Sequence, residues 1–246
     1  MKLLVANANT TQAITELCAA AARAAASPET EVIAATPRFG PAVIATRAED
    51  IIAGHGLLSL LAEHAGKVDA VVLAVSHDTA LEAARQMMPC PVVGMTEAAC
   101  LLACTQGARF GLVTFGGVDT YRERITRHGL IGRCASLVGV DATPQEAVAD
   151  RPTVEAKVLR GITHAATEGA DCVILGGAAL AGMAASLGPA SPVPLLDGIA
   201  CATLLAEALV RLRLPKPRLG SFAAPSGRAS IGLDPALAGL LRGGFT

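Results

Sequence analysis

Two stretches of the sequence decide the fold: VLAVSHDTA, which spans Val72–Ala80, and VILGGAAL, which spans Val173–Leu180. Each begins with a short apolar run whose length and composition are typical of a buried strand. Each then passes through small or polar residues into a segment with helical character. A strand, a tight loop and a helix in this order form the repeating unit of an α/β fold with a parallel sheet.

The same alternation of strand and helix extends over most of the chain. Continuous apolar runs predict strands that are covered on both faces, and apolar residues at spacings of three and four predict the helices between them. The predicted strands are 2–6, 31–35, 70–75, 92–94, 110–114, 135–140, 172–175 and 193–196. The predicted helices begin near Gln12 and near Asp78 or span 49–67, 96–105, 118–128, 152–167, 178–187 and 198–212.

The two halves of the chain resemble each other. Residues 2–25 parallel 109–128, and residues 71–84 parallel 173–185 in their order of strand, short loop and helix. The pattern predicts two similar lobes, each a mostly parallel sheet flanked by helices and related by a pseudo-twofold duplication. Loops at the carboxyl ends of parallel strands carry the sites of such sheets, so we expect an active site in the cleft between the lobes.

The predicted division assigns residues 1–95 and 200–246 to the first lobe and 96–199 to the second.

Composition narrows the classes of function that the protein can have. A net charge of −1 and an aromatic content of 2% argue against nucleic-acid binding, which favours a basic surface and stacking rings. No apolar run is long enough to cross a membrane, and the opening MKLLVANANTT is typical of a buried strand rather than a secretory leader.

The seven cysteines are odd in number and irregular in spacing, and they form no CxxC pair. This usage is typical of reduced thiols in a cytoplasmic protein, and it predicts no metal site.

Helices rich in alanine and leucine predict a homo-oligomer. No GxGxxG follows the first strand and no Gly-Lys-Ser/Thr ends a glycine-rich loop, so the sequence predicts neither a dinucleotide site nor a P-loop.

His77 is the sharpest candidate for chemistry, as a general acid or base beside Ser76 and Asp78. The alternative is a histidine at a helix start that binds a backbone group, and the sequence leaves both open. Asp78 suits either capping of the following helix or contact with a substrate, and Ser76 suits either a catalytic role beside His77 or a hydroxyl that binds a substrate. The order Ser-His-Asp is not a hydrolase triad, because adjacent residues cannot adopt the relay geometry.

Polar and small residues follow the other strands at equivalent places. Asn7, Asn9 and Thr10 suit a substrate carboxylate or amide, although they are equally suited to capping the first helix. Further candidates, each with a structural alternative, are Thr114, the turn Gly116-Gly117 and the pair Gly176-Gly177, which suit either an anion nest or close packing. Tyr121, the only tyrosine, is predicted to have a packing role.

Several motifs, in their order and spacing, match a known family: Asn7–Thr11, Gly40-Pro41, Asp78–Arg85, Pro91–Ala98, Phe110–Phe115, Asp197-Gly198 and Gly220–Pro225. On these the chain resembles the aspartate/glutamate racemase superfamily, nearest its hydantoin racemase branch. The resemblance implies a cofactor-free site in which two cysteine thiolates face opposite sides of the substrate α-carbon. It also implies substrate contacts from Pro41, Val75, Phe115 and Ala178.

The family's first cysteine falls at Val75 or Ser76 of this chain and its second at Gly177, so the resemblance implies that both are lacking. We therefore expect a racemase- or isomerase-type enzyme with non-standard catalytic residues and His77 as its single base. Such an enzyme would act at the α-carbon of a small carboxylate, amide or hydantoin-like anion through an enolate-like intermediate; a decarboxylase is a further option. The alternative is a small-anion binding protein of the same fold that has lost proton transfer.

Overall fold

A computed structural model describes residues 1–225 and 227–243 of the chain. These residues form two compact lobes. The first lobe contains Met1–Val75, Thr79–Gly94 and the described residues from Thr203 onward, and the second contains Ser76–Asp78 and Met95–Ala202. The three residues Ser76–Asp78 therefore pack with a different lobe from the residues on either side of them.

In the first lobe, parallel strands alternate with helices. The elements are β1 (Lys2–Asn7), α1 (Gln12–Ala25), β2 (Glu31–Ala35), α2 (Arg47–His64), β3 (Ala70–Ala74), α3 (Leu81–Met87) and β4 (Val92–Gly94). The strands form a parallel sheet in the order β2-β1-β3-β4. Every residue of β3 is buried, as a central strand with both faces covered requires.

The second lobe repeats this arrangement. Its elements are α4 (Met95–Gln106), β5 (Phe110–Phe115), α5 (Asp119–Arg127), β6 (Cys134–Val140), α6 (Pro144–Ala149), α7 (Arg151–Thr167), β7 (Cys172–Leu175), α8 (Met183–Leu187) and β8 (Leu195–Asp197). Helix α9 (Gly198–Leu212) follows β8, and α10 (Pro235–Gly243) lies near the end of the chain. The parallel order β6-β5-β7-β8 matches that of the first sheet strand for strand, which confirms the predicted fold class.

Each sheet is covered by its own apolar core. In the first lobe, Leu4 and Leu73 of the sheet pack with Leu57 and Leu61 of α2 and with Leu237 of α10. In the second lobe, the core is built from residues of β5, β7, α7 and α8, among them Val113, Val158, Ile162, Val173 and Met183. Burial of such side chains stabilises a fold by roughly 1.5–3 kcal/mol each, so each sheet is stabilised by a core of its own.

Three predicted helices differ from the observed ones. Helix α2 begins before residue 49 because Thr46 and Glu49 form a capping box. The predicted helix 178–187 is broken into a 3-10 turn, Ala178–Leu180, and α8. Gly182, at φ +79°, separates the two and donates its N–H to Asp197 Oδ2 over 2.5 Å.

The third difference concerns the helix predicted to begin near Asp78, which starts only at Leu81. Helices α6 and α10 were not predicted, because both are short and lie in segments rich in proline, glycine or charge. In the described part of the chain, no helix combines the length and apolar character that crossing a membrane requires.

A buried carboxylate connects α9 to the loop between α1 and β2. Glu207 is 4% exposed and accepts hydrogen bonds from Ser27 N and Oγ over 2.9 and 2.7 Å and from Thr30 Oγ1 over 2.5 Å. Burial by itself raises the pKa of Glu207, but these hydrogen bonds, with the nearby Arg211 guanidinium, outweigh burial and leave the pKa below its usual value of 4.5.

We expect Glu207→Gln to lower the free energy of unfolding by about 1–3 kcal/mol at pH 7. Because the folded-state pKa is depressed, the contribution of the carboxylate is complete above about pH 4.5 and is lost as the pH falls below it. Urea unfolding at pH 7 and at pH 4 measures the difference, with the exposed Glu29→Gln variant as the control. A difference between wild type and Glu207→Gln that stays constant with pH would contradict the assignment.

Candidate active site

The loop after β1 is closed by the side chains of its own asparagines. Asn7, 1% exposed, donates to Asn9 Oδ1 over 2.9 Å and to Thr15 Oγ1 over 3.0 Å, and its own Oδ1 accepts the Asn9 N–H over 3.1 Å. Asn9 Oδ1 also accepts the N–H of Thr11, the residue that precedes α1, over 2.9 Å. Both amides therefore fix the shape of this loop, and the Asn7 amide is committed to partners within the protein.

A second loop of the first lobe meets this one. The Thr10 N–H donates to the Pro41 carbonyl over 3.0 Å, and the Thr11 hydroxyl donates to the Ala42 carbonyl over 2.7 Å. The structure thus brings Asn7, Asn9, Thr10 and Pro41 of the predicted site together at the carboxyl end of one sheet. Thr10 is partly exposed there.

Asp78 caps a helix, but not the helix that follows it. Its carboxylate, on a residue 1% exposed, accepts the Thr96 N–H over 3.1 Å and the Glu97 N–H over 2.8 Å. These are backbone donors of the first turn of α4, 18 and 19 residues further along. The predicted capping of the next helix is wrong, since Ala80 precedes α3 and offers no side-chain cap.

The backbone that carries Asp78 is strained. Among the described residues, Asp78, Ala80 and Arg213 have positive φ without being glycine, at 47°, 56° and 53°. Such a conformation costs an L-residue about 1–2 kcal/mol, although aspartate tolerates it better than alanine. Between them, the Thr79 hydroxyl donates to Asp50 of α2. Two of three strained residues thus lie in the segment after β3, and such strain is typical of functional sites.

Ser76 and His77 are held beside the second sheet by Thr96 and Tyr121. Thr96 Oγ1 donates to the Ser76 carbonyl over 2.6 Å. The His77 ring lies edge-on to the Tyr121 ring with centroids 5.6 Å apart. Both Ser76 and His77 remain partly exposed, so they can meet a ligand while their neighbours are buried.

The Tyr121 hydroxyl also connects the ends of β5 and β7. It accepts a hydrogen bond from Thr114 Oγ1 and donates one to the Gly176 carbonyl, each over 2.9 Å. Burial is the main cause that raises the pKa of Tyr121, against the lowering effect of its hydrogen bonds with Ser76 and Thr114. The phenol is therefore a neutral, fully hydrogen-bonded group and not a base at neutral pH.

Two of the predicted loop glycines use their N–H groups within the second lobe. The N–H of Gly116 donates to the Val140 carbonyl over 3.0 Å, and that of Gly176 donates to the Val113 carbonyl over 2.8 Å. Gly176 is also packed closely, because a Cβ there would come within 2.9 Å of Leu112. The predicted close-packing role of Gly176 is thus present, and neither of these two N–H groups is available to an anion.

Gly177 and its neighbours are less confined. A Cβ at Gly177 would lie 3.6 Å from Leu180 Cδ1, an ordinary contact, and one at Gly117 would meet nothing within 4 Å. Gly177 and Ala178 are partly exposed. Phe115, in contrast, packs against the core of the second lobe, so the structure places it at the margin of this group.

His128 is a neighbour of the site that the sequence did not predict. It ends α5, its side chain is 10% exposed, and its Nε2 lies 3.5 Å from Asp78 Oδ2 while its Nδ1 lies 3.5 Å from Glu97 Oε1. His128 thus faces the carboxylate that caps α4. Its position before Gly129, at a predicted helix end, was the only sequence signal, and nothing in the sequence pairs it with Asp78.

The cysteine thiols are poor candidates for bases. Burial raises the pKa of Cys90 to about 11 and that of Cys201 to about 12, and it also raises the pKa values of Cys100, Cys134 and Cys172. Val75 itself is 5% exposed and belongs to the core of the first lobe. In the described residues, no group of three or more His, Cys, Asp or Glu is placed to hold a metal ion.

Two lobes with one parallel strand order, and polar loops at the carboxyl ends of their sheets, define a two-lobed α/β protein of the racemase type. The chain belongs to the Asp/Glu/hydantoin racemase family, whose model matches residues 3–206. Among its relatives, the hydantoin racemase of Pseudomonas sp. (strain NS671) is 32% identical over 240 residues, which cover 94% of this chain and 95% of the relative. The hydantoin racemase of Paenarthrobacter aurescens is 30% identical over 234 residues, covering 92% and 98%.

Solved structures agree with this membership. The allantoin racemase from Klebsiella pneumoniae superposes with a TM-score of 0.92 at 32% identity, covering 96% of this chain and 98% of that one. The allantoin racemase from Pseudomonas fluorescens gives 0.90 at 31% identity, covering 94% and 100%. Unliganded arylmalonate decarboxylase, at a TM-score of 0.55 and 18% identity over 89% and 96% of the two chains, shares the fold.

We expect Ala80→Gly to raise the free energy of unfolding by about 1 kcal/mol, because glycine adopts the positive φ of this position without the steric cost that alanine carries. Chemical denaturation measures the change. The control is Ala20→Gly, at an exposed position inside α1, which should lower the free energy by about 1 kcal/mol. Destabilisation of both variants by similar amounts would show that residue 80 is not strained in solution.

Proposed function

We propose that the protein is a cofactor-independent racemase- or isomerase-type enzyme. It acts at the α-carbon of a small carboxylate, amide or hydantoin-like molecule through an enolate-like intermediate. Membership of the family supports the class of reaction. The hydantoin and allantoin racemases among its relatives favour a cyclic ureide over a free amino acid as the substrate.

We further propose that proton transfer uses His77 and not a pair of thiols. The resemblance places the family's two cysteines at Val75 or Ser76 and at Gly177, and five of the seven cysteines present have raised pKa values. The observation that carries the proposal is the anchoring of Ser76–Asp78. The buried Asp78 carboxylate fixes the loop through its hydrogen bonds to α4, despite the positive φ angles at Asp78 and Ala80. The partly exposed imidazole of His77 is thereby positioned, as a general base must be.

In the proposed step, an imidazole nitrogen of His77 takes the α-proton, and the electron pair of the C–H bond moves onto the adjacent carbonyl as an enolate. The imidazolium then returns a proton to the α-carbon, and the electron pair returns with it. Hydrogen bonds from loop N–H groups near Gly117 and Gly177 would stabilise the developing negative charge. A single base on one face favours isomerisation, decarboxylation or elimination over balanced two-base racemisation.

We expect the purified protein to exchange the α-proton of 5-methylhydantoin for deuterium in D2O faster than buffer does. His77→Ala should reduce the rate at least ~100-fold, the usual contribution of general acid–base catalysis. Proton NMR follows the loss of the α-proton signal. The matched control is His164→Ala, at an exposed position on α7, which should leave the rate unchanged.

Two outcomes separate the alternatives. Full exchange by His77→Ala would rule out His77 as the base. If alkylation of the thiols of that variant then abolished exchange without unfolding it, a thiol mechanism would be supported instead. Binding of small dicarboxylates, hydantoins or ureides in a thermal-shift screen, with neither exchange nor turnover of any of them, would instead assign a small-anion binding protein.

A further inference from the structure

The loop after β7 is fastened to the fold at both of its ends. At its start, the N–H and the carbonyl of Gly176 are both hydrogen-bonded within the second lobe. At its end, the Gly182 N–H donates to Asp197 Oδ2 over 2.5 Å. Between these two contacts lie Gly177 and Ala178, which are partly exposed and belong to the candidate site. The position of their backbone therefore depends on the two anchors.

The Asp197 anchor falls at a bend in this loop. The 3-10 turn Ala178–Leu180 ends before Gly182, and Gly182 has φ +79° immediately ahead of α8. Glycine populates positive and negative φ about equally, so the preference of the residue itself does not fix the bend. The hydrogen bond to Asp197, which is 9% exposed, supplies the constraint from a buried side chain.

The carboxylate of Asp197 uses its two oxygens differently. Oδ1 accepts the Ile199 and Ala200 N–H groups and so caps α9, whereas Oδ2 accepts the Gly182 N–H. A helix N-cap requires one acceptor oxygen, and asparagine and serine serve as well as aspartate. The second oxygen therefore has a role besides capping, and that role is to hold the loop after β7.

Asp78 stands in a similar relation to the loop after β3. Its carboxylate binds the first turn of α4 and thereby fixes Ser76 and His77. The starts of α4 and α9 lie close together, because a Cβ on Gly198 would come within 2.7 Å of Met95 Cε and 3.2 Å of the Met95 carbonyl. Two loops of the candidate site are thus fastened by buried carboxylates to neighbouring helix N-termini.

We propose that Asp197 is a positioning residue for the reaction, because it holds the loop after β7 so that the backbone near Gly177 can stabilise the enolate-like intermediate. The hydrogen bond to Gly182 fixes the loop before the reaction begins, and donors that are already in place stabilise developing charge without reorganisation. The charge develops only on the way to the enolate, so loss of the anchor should affect turnover more than substrate binding. The inference rests on the proposed function, which supplies the enolate.

The first test of the anchor is amide hydrogen exchange in Asp197→Asn, measured by NMR. The asparagine oxygen can still cap α9, but the NH2 group that replaces the second oxygen cannot accept the Gly182 N–H. We expect amide exchange at Gly182 to become about 10-fold faster, the effect of one lost hydrogen bond. The Ile199 and Ala200 amides should keep their wild-type exchange rates.

The second test is the rate of α-proton exchange of 5-methylhydantoin in D2O. For Asp197→Asn we expect kcat to fall at least ~10-fold with KM unchanged, as for an interaction made only in the transition state. Urea unfolding gives the folded fraction of each variant, so that kcat refers to folded protein. Asp197→Ser, which retains a preferred N-cap but has no second oxygen, should reproduce both effects.

The matched control is Asp150→Asn in the same lobe. Asp150 is exposed and caps α7 by accepting the Thr153 N–H over 3.3 Å. The same substitution at this N-cap should change neither the amide exchange at Gly182 nor kcat. An equal loss of kcat in Asp150→Asn and Asp197→Asn would show that the effect is not specific to the loop after β7 and would overturn the proposal.

Two further results would overturn it. Unchanged amide exchange at Gly182 in both Asp197→Asn and Asp197→Ser would show that the carboxylate does not hold the loop. Faster amide exchange at Gly182 with unchanged kcat would show that the loop has no part in the reaction. Failure of the proposed function is a separate result, in which wild type itself does not exchange the α-proton. The catalytic role of Asp197 would then be refuted with it, while the amide measurement would still decide whether the anchor exists.

Discussion

The placement of the candidate base depends on one buried carboxylate. Asp78 accepts the Thr96 and Glu97 N–H groups at the start of α4, where the helix dipole and the backbone donors of the first turn favour a negative charge. Charge-assisted hydrogen bonds of this kind are about twice as strong as neutral ones. They offset the strain of positive φ at Asp78 and Ala80. The backbone after β3 is therefore fixed, and it sets the positions of Ser76 and His77.

The duplicated lobes solve the same capping problem in two ways. In the second lobe, Asp197 directly precedes α9 and caps it, accepting the Ile199 and Ala200 N–H groups over 2.8 and 3.0 Å. The equivalent residue before α4 is Gly94, which has no side chain, and its place is taken by Asp78 from the loop after β3. One helix is therefore capped locally, whereas the other uses its cap to fasten a distant loop, and that loop carries the titratable side chain.

The strands and the parallel character of the sheets followed from the sequence, because buried central strands are continuous apolar runs, such as 70–74 and 172–175, that alternate with helices. Local pattern could not show which helix Asp78 caps, since its partners lie 18 and 19 residues away. For the same reason Tyr121 was predicted to be a packing residue, although its hydroxyl is hydrogen-bonded to residues at the ends of β5 and β7. The contact between His128 and Asp78 likewise could not be predicted from the sequence. The shared use of one cleft by the loops of both lobes stays a prediction.

Under the proposed function, a histidine imidazole replaces the two thiols as the base, and the two kinds of base make different demands on the surrounding structure. A thiol ordinarily titrates near pH 8.5 and must be lowered by positive potential before it acts as a base at neutral pH. An imidazole needs no such activation to act as a base near neutral pH, so the main requirement on the fold is to position the ring. The structure meets that need with anchoring contacts: Asp78 on α4, Thr79 on Asp50, and the Tyr121 ring against the imidazole. The raised pKa values of the buried cysteines fit the same division, because burial, which disfavours a thiolate, is the largest cause at each of them.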